Sequence, residues 1–204
     1  KLDVKSMTSH TFEIKDATKA YNIITGKVSE KFLGILLKYP GYDNRDAKIQ
    51  RTFTVGKYEV KHQIKIGFLG AGTFGQTYLI PNLQKASVDL VGVSTAEPAT
   101  AQSAAKKFGF ALSSTDSLEL IHHKDINAIF CSTRHDTHAK FVLESIKAGK
   151  PVYVEKPLAV NYSELEEIDK AVAENQGRVM VGYNRRFSKP FTDMKKFFIE
   201  RKSP

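Results

Sequence analysis

The hydrophobic pattern from about residue 63 onward alternates between short apolar runs and amphipathic stretches. Continuous apolar runs are typical of buried strands, whereas apolar residues three or four positions apart are typical of helices. The pattern predicts strands at 64–69, 88–94, 128–131, 152–154 and 179–182. It predicts helices at 73–84, 99–108, 116–122 and 135–148, the first of them interrupted at Pro81. A further helix is predicted to begin at a Ser163–Glu166 capping box and to end at Gly177. This alternation predicts an α/β fold with a doubly wound parallel sheet.

The residues before this region carry a weaker pattern. Apolar residues between positions 17 and 24 lie at helical spacing, and Gly26 follows where a C-terminal helix cap belongs. The apolar run 32–37 ends at a Tyr-Pro-Gly sequence, which predicts a buried strand and a turn. We therefore expect a small N-terminal α/β appendage at residues 1–40 and a linker at 41–62, with a short strand around 57–60.

Composition and charge narrow the classes of function. The chain has 204 residues, of which 41% are hydrophobic, and a formal net charge of +9. Acidic residues are mixed among the basic ones, so we expect no nucleic-acid partner, and the positive excess suits an anionic cofactor or substrate. No apolar stretch reaches the ~20 residues that span a bilayer, so we expect no membrane partner. The single cysteine, Cys131, excludes an internal disulfide and predicts no metal site and a cytoplasmic setting.

The segment Gly70-Ala71-Gly72-Thr73-Phe74-Gly75 matches the G-x-G-x-x-G pattern, and it joins a predicted strand to a predicted helix. In this setting Gly70 allows a tight turn, Gly72 lets the backbone approach a pyrophosphate, and Gly75 lets the helix pack against the sheet. The N–H groups at the start of the helix favour phosphates. The segment predicts a dinucleotide-binding Rossmann domain at residues 63–186. The alternative is a tight turn that binds nothing.

The choice of nucleotide stays open at this point. In many such domains an acidic residue about 20 positions after the glycines holds the adenosine ribose hydroxyls. Here the second strand ends in Ser94-Thr95-Ala96-Glu97. Thr95 stands where the acid would be, and Ala96 offers no arginine for a 2′-phosphate. Either Glu97 reaches the ribose instead, or the hydroxyls alone hold it. We assign Ser94 and Thr95 to the cofactor site and expect NAD or NADP.

Two further motifs follow the glycine loop: Cys131-Ser132-Thr133-Arg134-His135-Asp136-Thr137-His138-Ala139 and Val154-Glu155-Lys156-Pro157-Leu158-Ala159. In this order and spacing, the three motifs resemble the Gfo/Idh/MocA family of glucose-fructose and inositol dehydrogenase-like oxidoreductases. The resemblance runs from about Ile64 to Phe191. It implies an NAD(P)-dependent enzyme that transfers a hydride between nicotinamide and a sugar, polyol or sugar-nucleotide carbinol. The alternative is a non-enzymatic sensor or regulatory module that binds dinucleotide.

The resemblance also implies roles for individual residues. Lys156 would polarise the substrate oxygen or pass a proton, provided that burial and neighbouring groups favour its neutral amine. Pro157 would follow a cis peptide bond. The other residues assigned to the cofactor cleft by resemblance are Ser132, Thr133, Arg134, His135, His138, Glu155, Asn184 and Arg185. Structural alternatives stay open, because His138 could satisfy its own helix start, Lys156 could be a surface lysine, and Arg185 could pair with surface acids.

The two ends of the chain suggest a larger protein. Family members continue into a second α/β domain that contributes substrate contacts and much of the oligomer interface, and residues 187–204 resemble only its start. We expect the full-length protein to be a homo-oligomer. We also expect an apolar stripe near the end of this chain to be exposed or to be buried in a dimer. The stripe consists of Phe187, Phe191, Met194, Phe197 and Phe198. Residues 1–40 resemble the C-terminal tail of zinc-type medium-chain alcohol dehydrogenases. The resembling segments are Met7-Thr8-Ser9-His10-Thr11-Phe12, Lys19-Ala20-Tyr21 and Gly34-Ile35-Leu36-Leu37. Together the two resemblances imply a fragment of a two-enzyme fusion.

Overall fold

The computed structural model of the chain describes residues 5–40, 50–56 and 61–200. The chain divides into two compact units, Lys1–Ile49 and Gln50–Pro204. Residues 41–49 of the predicted linker lie outside the described residues, as does the strand predicted around 57–60.

The N-terminal unit contains a small β–α–β arrangement. Strands β1 (His10–Glu13) and β2 (Ile35–Lys38) pair in parallel, and helix α1 (Ala17–Ile24) lies between them in sequence. Gly26 has a φ of 74°, the left-handed conformation of a C-terminal cap. The α/β character and the helix agree with the prediction. The strand predicted at 32–37 lies at Ile35–Lys38, and its residues are intermediate or exposed rather than buried. Strand β1 was not predicted, because its alternating intermediate and exposed residues form no continuous apolar run.

The C-terminal unit is built on a seven-stranded sheet with the spatial order β3-β6-β5-β4-β7-β8-β9. The strands are β3 (Thr52–Thr54), β4 (Ile64–Leu69), β5 (Val88–Ser94), β6 (Leu112–Ser114), β7 (Ala128–Cys131), β8 (Val152–Glu155) and β9 (Val179–Gly182). Strands β4 to β9 pair in parallel, and the edge strand β3 runs antiparallel to β6. The chain builds outward from β4 to β6 and then continues on the other side of β4 with β7. This is the doubly wound order that the sequence predicted.

Helices connect the strands and follow the predicted positions closely. They are α2 (Ile80–Leu83), α3 (Pro98–Phe108), α4 (Ser117–Ile121), α5 (His138–Lys147), α6 (Tyr162–Asn175) and the terminal α7 (Lys189–Glu200). A π-helical segment, Gly75–Leu79, leads into α2, and the N–H of Ile80 donates to the carbonyl of Gly75. Pro81 has no N–H and its ring crowds the preceding turn, so a wider turn accommodates it. The predicted interruption at Pro81 is therefore a π segment within a helix.

Apolar cores cover both faces of the sheet. Phe68 and Leu69 are adjacent in β4 but belong to two separate cores, because successive residues of a strand point to opposite faces. The core of Phe68 includes Ala104 of α3, and the core of Leu69 includes Val142 of α5. Helices on both faces hold the carboxyl ends of the parallel strands at one edge, which is where the candidate site lies.

The start of α6 differs from the prediction. Asn161 is the N-cap residue, and its side-chain oxygen accepts the N–H of Glu164 at 2.9 Å. The carboxylate of Glu164 in turn accepts the N–H of Val160 at 2.9 Å. The predicted Ser163–Glu166 capping box was wrong, because Asn161 has the extended backbone that an N-cap requires while Ser163 already lies within the helix.

Strands β3 and β6 have three residues each and were not predicted. Strand β3 lies within the segment interpreted as a linker, and it pairs with the sheet instead. The hydroxyl of Thr52 donates to that of Ser114 at 2.7 Å, beside the β3–β6 ladder. A three-residue edge strand has too short a pattern to be recognised, since its position depends on the strand it pairs with.

The apolar stripe at the end of the chain is exposed, which is one of its two expected states. Its members are Phe187, Phe191, Met194, Phe197 and Phe198.

Candidate functional site

Three loops meet at the carboxyl ends of β4, β5 and β7. Gly70 has a φ of 84°, and a Cβ there would lie 2.7 Å from the backbone of Ser132 and Thr133. The N–H of Gly70 donates to the carbonyl of Ser94 at 2.8 Å, and the N–H of Ser132 donates to the carbonyl of Leu69 at 2.8 Å. The glycine loop is thus fixed on both sides at the point where strand order reverses, which is where open α/β sheets bind ligands.

The other two glycines of the motif have the local geometry that their predicted roles require. A Cβ at Gly72 would meet nothing within 4 Å, so the backbone there is open to an approaching ligand. A Cβ at Gly75 would lie 3.1 Å from the ring of Phe68, so the helix packs closely on the sheet. The first i→i−4 hydrogen bond of the helix runs from Gln76 to Gly72 at 2.9 Å. The N–H groups of the residues between them precede that bond and have no i→i−4 partner.

A cleft of about 1000 Å³ lies against these loops. Eight predicted site residues line it: Gly70, Ala71, Gly72, Ser94, Thr95, Ser132, Thr133 and Arg134. Nine others do not: Thr73, Phe74, Gly75, His135, His138, Glu155, Lys156, Asn184 and Arg185. Sequence reasoning raised Glu97 only as an alternative partner of the ribose and did not assign the rest of the lining: Arg51, Ala96, Thr100, Thr115, Asp116, Ser117, Leu118, Asp136, Thr137, Lys140 and Phe141.

Arg51 and Asp116 form an ion pair in one wall of the cleft. The Nη1 of Arg51 donates to Oδ2 of Asp116 at 3.0 Å, and the carbonyl of Arg51 accepts the N–H of Thr115 at 3.0 Å. Asp116 also caps α4 by accepting the N–H groups of Leu118 at 2.9 Å and Glu119 at 3.4 Å. Burial acts to raise the pKa of Asp116, but these hydrogen bonds and the charge of Arg51 outweigh it and lower the pKa. No local signal marks Arg51, because strand pairing brings it next to a residue 65 positions away.

His138 lies beneath the cleft rather than in its lining. Its side chain is 0% exposed, with Nδ1 2.7 Å from the carbonyl oxygen of Pro157 and Nε2 3.1 Å from that of Thr133. The imidazole thus connects the loop after β7 to the loop after β8. His138 is outside the cleft lining, and its contacts reach beyond its own helix start, so its part in the cofactor site stays a prediction.

A second polar group surrounds Glu155 at the end of β8. Glu155 is buried, and its Oε1 accepts the hydroxyl of Tyr153 at 2.6 Å and the Nδ2 of Asn184 at 3.3 Å. Burial and the neighbouring carboxylate raise the pKa of Tyr153. The structure therefore brings two predicted site residues, Asn184 and Glu155, into direct contact, and Tyr153, which the sequence did not indicate, joins them.

Lys156 and Arg185 are exposed. The peptide bond between Lys156 and Pro157 is cis, as the resemblance implied. The burial that the sequence analysis required around the Lys156 amine is not present in this structure.

Statements about metal-binding groups and membrane-spanning helices concern the described residues 5–40, 50–56 and 61–200. Among these residues no group of three or more His, Cys, Asp or Glu side chains could hold a metal ion. No helix in this part of the chain has the length and apolar character needed to cross a membrane.

Sequence comparison assigns a family to this geometry. The profile of Gfo/Idh/MocA, described as an oxidoreductase family with an NAD-binding Rossmann fold, matches residues 64–183. The chain belongs to this family. The glycine loop, the loop after β7 and Lys156 all fall within the matched Gfo/Idh/MocA segment, so the resemblance inferred from these motifs is confirmed for the Rossmann region.

Curated relatives in the family include dehydrogenases of cyclic polyols. Inositol 2-dehydrogenase of Rhizobium meliloti (strain 1021) is 32% identical over 133 residues, which cover 65% of this chain and 40% of the relative. The 4-carboxy-2-hydroxymuconate-6-semialdehyde dehydrogenase of Sphingobium sp. (strain NBRC 103272 / SYK-6) is 32% identical over 125 residues, covering 61% of this chain and 40% of the relative. The chain thus spans about two fifths of the length of these relatives.

Solved Gfo/Idh/MocA-like structures agree in fold. A putative myo-inositol dehydrogenase from Sinorhizobium meliloti 1021 is 29% identical with a TM-score of 0.61, covering 67% of this chain and 41% of that one. Levoglucosan dehydrogenase in complex with NADH and levoglucosan is 28% identical with a TM-score of 0.62, covering 67% of this chain and 39% of that one.

Proposed function

We propose that this chain is the dinucleotide-binding part of an oxidoreductase that transfers a hydride between NAD or NADP and a sugar, polyol or sugar-nucleotide carbinol. One observation carries the proposal. The backbone at Gly72 is open to an approaching ligand and lies where the strand order of the sheet reverses. The close approach of Gly70 to the loop after β7 holds this backbone in place. Such a loop fits a pyrophosphate, because side chains are absent where the phosphates approach.

The donors around the loop have the chemistry that a dinucleotide requires. The N–H groups of Thr73, Phe74 and Gly75 precede the first i→i−4 hydrogen bond of their helix and favour phosphate oxygens. This assigns Thr73 and Phe74 a backbone role, although their side chains are exposed and outside the cleft lining. The Ser132 and Thr133 loop forms the facing wall.

A bound nicotinamide dinucleotide supplies the hydride donor or acceptor. The chain's own contribution at the reacting end is the Lys156 ammonium, which we assign to the substrate oxygen, where it polarises a carbonyl or moves a proton. His138 contributes by joining the two loops that flank this end, since it contacts the carbonyls of Thr133 and Pro157. Glu155 contributes by holding Asn184.

The substrate class rests on similarity and on the cofactor chemistry. Inositol 2-dehydrogenases and levoglucosan dehydrogenase act on cyclic polyhydroxylated molecules, as their names state. We extend that class to this chain. Because the chain spans about two fifths of such relatives, turnover belongs to the full-length protein, for which we propose a homo-oligomer.

Fluorescence titration of the 204-residue chain with NADH and NADPH tests dinucleotide binding. We expect saturable binding of at least one of them. A Lys156→Ala variant should bind with unchanged affinity, while hydride transfer to or from inositol by the full-length protein should fall about 10²- to 10⁴-fold. Binding of neither dinucleotide would remove the proposal, and full activity in the variant would remove the role of Lys156.

A dinucleotide-binding sensor is the second candidate, and the exposure of Lys156 is the observation that favours it. A sensor needs the cleft but no buried reactive amine. The full-length protein would then bind the dinucleotide without reducing or oxidising it in the presence of inositol, levoglucosan or other sugars, and Lys156→Ala would change nothing.

The remaining parts of the chain have proposed assignments of their own. The β–α–β arrangement of β1, α1 and β2 supports residues 1–40 as an alcohol dehydrogenase-like tail, and hence a two-enzyme fusion. The exposed apolar face of α7 supports residues 187–204 as the start of a substrate and oligomerisation domain. The buried, unpaired thiol of Cys131, whose pKa is raised by burial, suits a cytoplasmic setting.

A further inference from the structure

The end of β5 carries no carboxylate for the adenosine ribose. Thr95 follows Ser94 at this point and lines the cleft, and its hydroxyl donates to the carbonyl of Glu97 at 2.7 Å. A carboxylate at this position accepts the ribose 2′-hydroxyl of NAD and repels the 2′-phosphate of NADP. Thr95 carries no charge and does neither. The choice between NAD and NADP at this part of the cleft therefore depends on other charged side chains.

Arg51 brings a positive charge to the same cleft from outside the glycine-loop region. It precedes β3, whose antiparallel pairing with β6 sets Arg51 beside Thr115 and Asp116, which also line the cleft. The Arg51 side chain is 54% exposed and is oriented by its ion pair with Asp116. That pair engages one terminal nitrogen, and a guanidinium has five N–H donors in a planar fork that matches phosphate.

Two carboxylates share this wall and must be weighed against Arg51. Asp116 is 20% exposed, and its negative charge is offset by Arg51 and by the N–H groups of Leu118 and Glu119. It therefore acts to hold the guanidinium. Glu97 is the N-cap residue of α3 and is exposed, so that solvent screens its charge. A direct guanidinium–phosphate contact is charge-assisted and outweighs a screened repulsion of this kind.

We propose that Arg51 binds the 2′-phosphate of NADP(H), and that Arg51 together with Thr95 makes this chain prefer NADP(H) to NAD(H). The inference rests on the proposed function, because it assigns one end of the same dinucleotide cleft. Arg51 is the specificity-determining residue, and Asp116 positions it.

Binding measurements test the assignment without reference to turnover. The Kd of the 204-residue chain for NADPH should be at least about tenfold below that for NADH, and 2′,5′-ADP should bind more tightly than 5′-ADP in calorimetry. Arg51→Ala should raise the Kd for NADPH about tenfold or more and leave that for NADH within about twofold. Arg51→Lys keeps the charge but not the fork, so it should give an intermediate Kd.

Matched controls separate the contact from net charge and from folding. Arg178→Ala removes the same charge at an exposed position outside the cleft lining, and it should leave the preference unchanged. Thr95→Asp places a carboxylate at the end of β5, and it should reverse the preference so that NADH binds more tightly than NADPH. If Arg51→Ala does not fold, Thr95→Asp and the comparison of 2′,5′-ADP with 5′-ADP decide the question on their own.

The outcomes distinguish this inference from the proposed function. Equal or tighter binding of NADH by the unaltered chain overturns the role of Arg51 and leaves the dinucleotide site standing, as does a preference for NADPH that survives in Arg51→Ala. Failure of both dinucleotides to bind overturns the proposed function itself, and the inference with it.

Discussion

Replacement of Gly70 by alanine tests how the candidate site is assembled. The φ of Gly70 is 84°, and for a residue with a Cβ this left-handed conformation costs roughly 1–2 kcal/mol. The added Cβ would also lie 2.7 Å from the backbone carbon and oxygen of Ser132. Backbone atoms cannot rotate away as a flexible side chain can, so the two loops must separate.

The separation weakens the hydrogen bonds that hold the loops. The bond from Gly70 to Ser94 and the bond from Ser132 to Leu69 are both 2.8 Å long. Each contributes about 1 kcal/mol net. Together with the backbone strain, Gly70→Ala should lower the free energy of unfolding by about 3 kcal/mol. Urea unfolding followed by circular dichroism measures this change.

Gly72→Ala is the matched comparison two residues away. A Cβ there meets nothing within 4 Å, and its φ is not positive, so the free energy of unfolding should stay within about 1 kcal/mol of the unaltered chain. If this open space receives the pyrophosphate, the same variant should bind the preferred dinucleotide at least about tenfold more weakly. Equal loss of stability in the two variants would refute the reasoning about the contacts of Gly70. Unchanged binding in Gly72→Ala would refute the assignment of the cradle.

Three further predictions concern side chains whose partners only the structure reveals. His138→Phe keeps a ring but removes the imidazole N–H that pairs with a backbone carbonyl, so urea unfolding should report a loss of about 1–3 kcal/mol, against less than about 0.5 kcal/mol for the exposed His135→Phe. Asn161→Ala should cost about 1 kcal/mol and Ser163→Ala only a few tenths, and equal costs would restore the rejected capping box. The native pKa of Asp116 lies below its ordinary 3.8, so its ionised form contributes stability that is present above 3.8 and lost as pH falls through the native pKa. In urea unfolding, Asp116→Asn should therefore be less stable than the unaltered chain at about pH 6, and the two stabilities should converge at about pH 2.5. A difference that stays constant with pH would contradict the assigned direction of the pKa shift.

The local geometry of the three motif glycines was predictable because it depends on nearby residues. A strand, a tight turn and a helix follow one another within a few positions, so the backbone requirement at Gly70 and the close packing at Gly75 are local consequences. The alternation of apolar runs likewise predicted the parallel strands β4, β5, β7, β8 and β9, since short apolar segments between helices are typical of a parallel sheet.

The position of Arg51 and the partners of His138 were not predictable in this way. Arg51 reaches the cleft through the pairing of β3 with β6, and His138 is buried by contacts with carbonyls 5 and 19 positions away. A short edge strand has too few residues to show a hydrophobic period. The sequence around a histidine does not indicate whether the imidazole will bind a ligand or a backbone oxygen.

By itself, the sequence determined the doubly wound α/β fold, the glycine loop and the family, because these depend on local periodicity and on motifs that are contiguous in the chain. Only the tertiary structure decided that Arg51 and Asp116 form a wall of the cleft and that His138 joins two loops. Those contacts join residues far apart in the chain, and strand pairing and packing alone determine which of them meet.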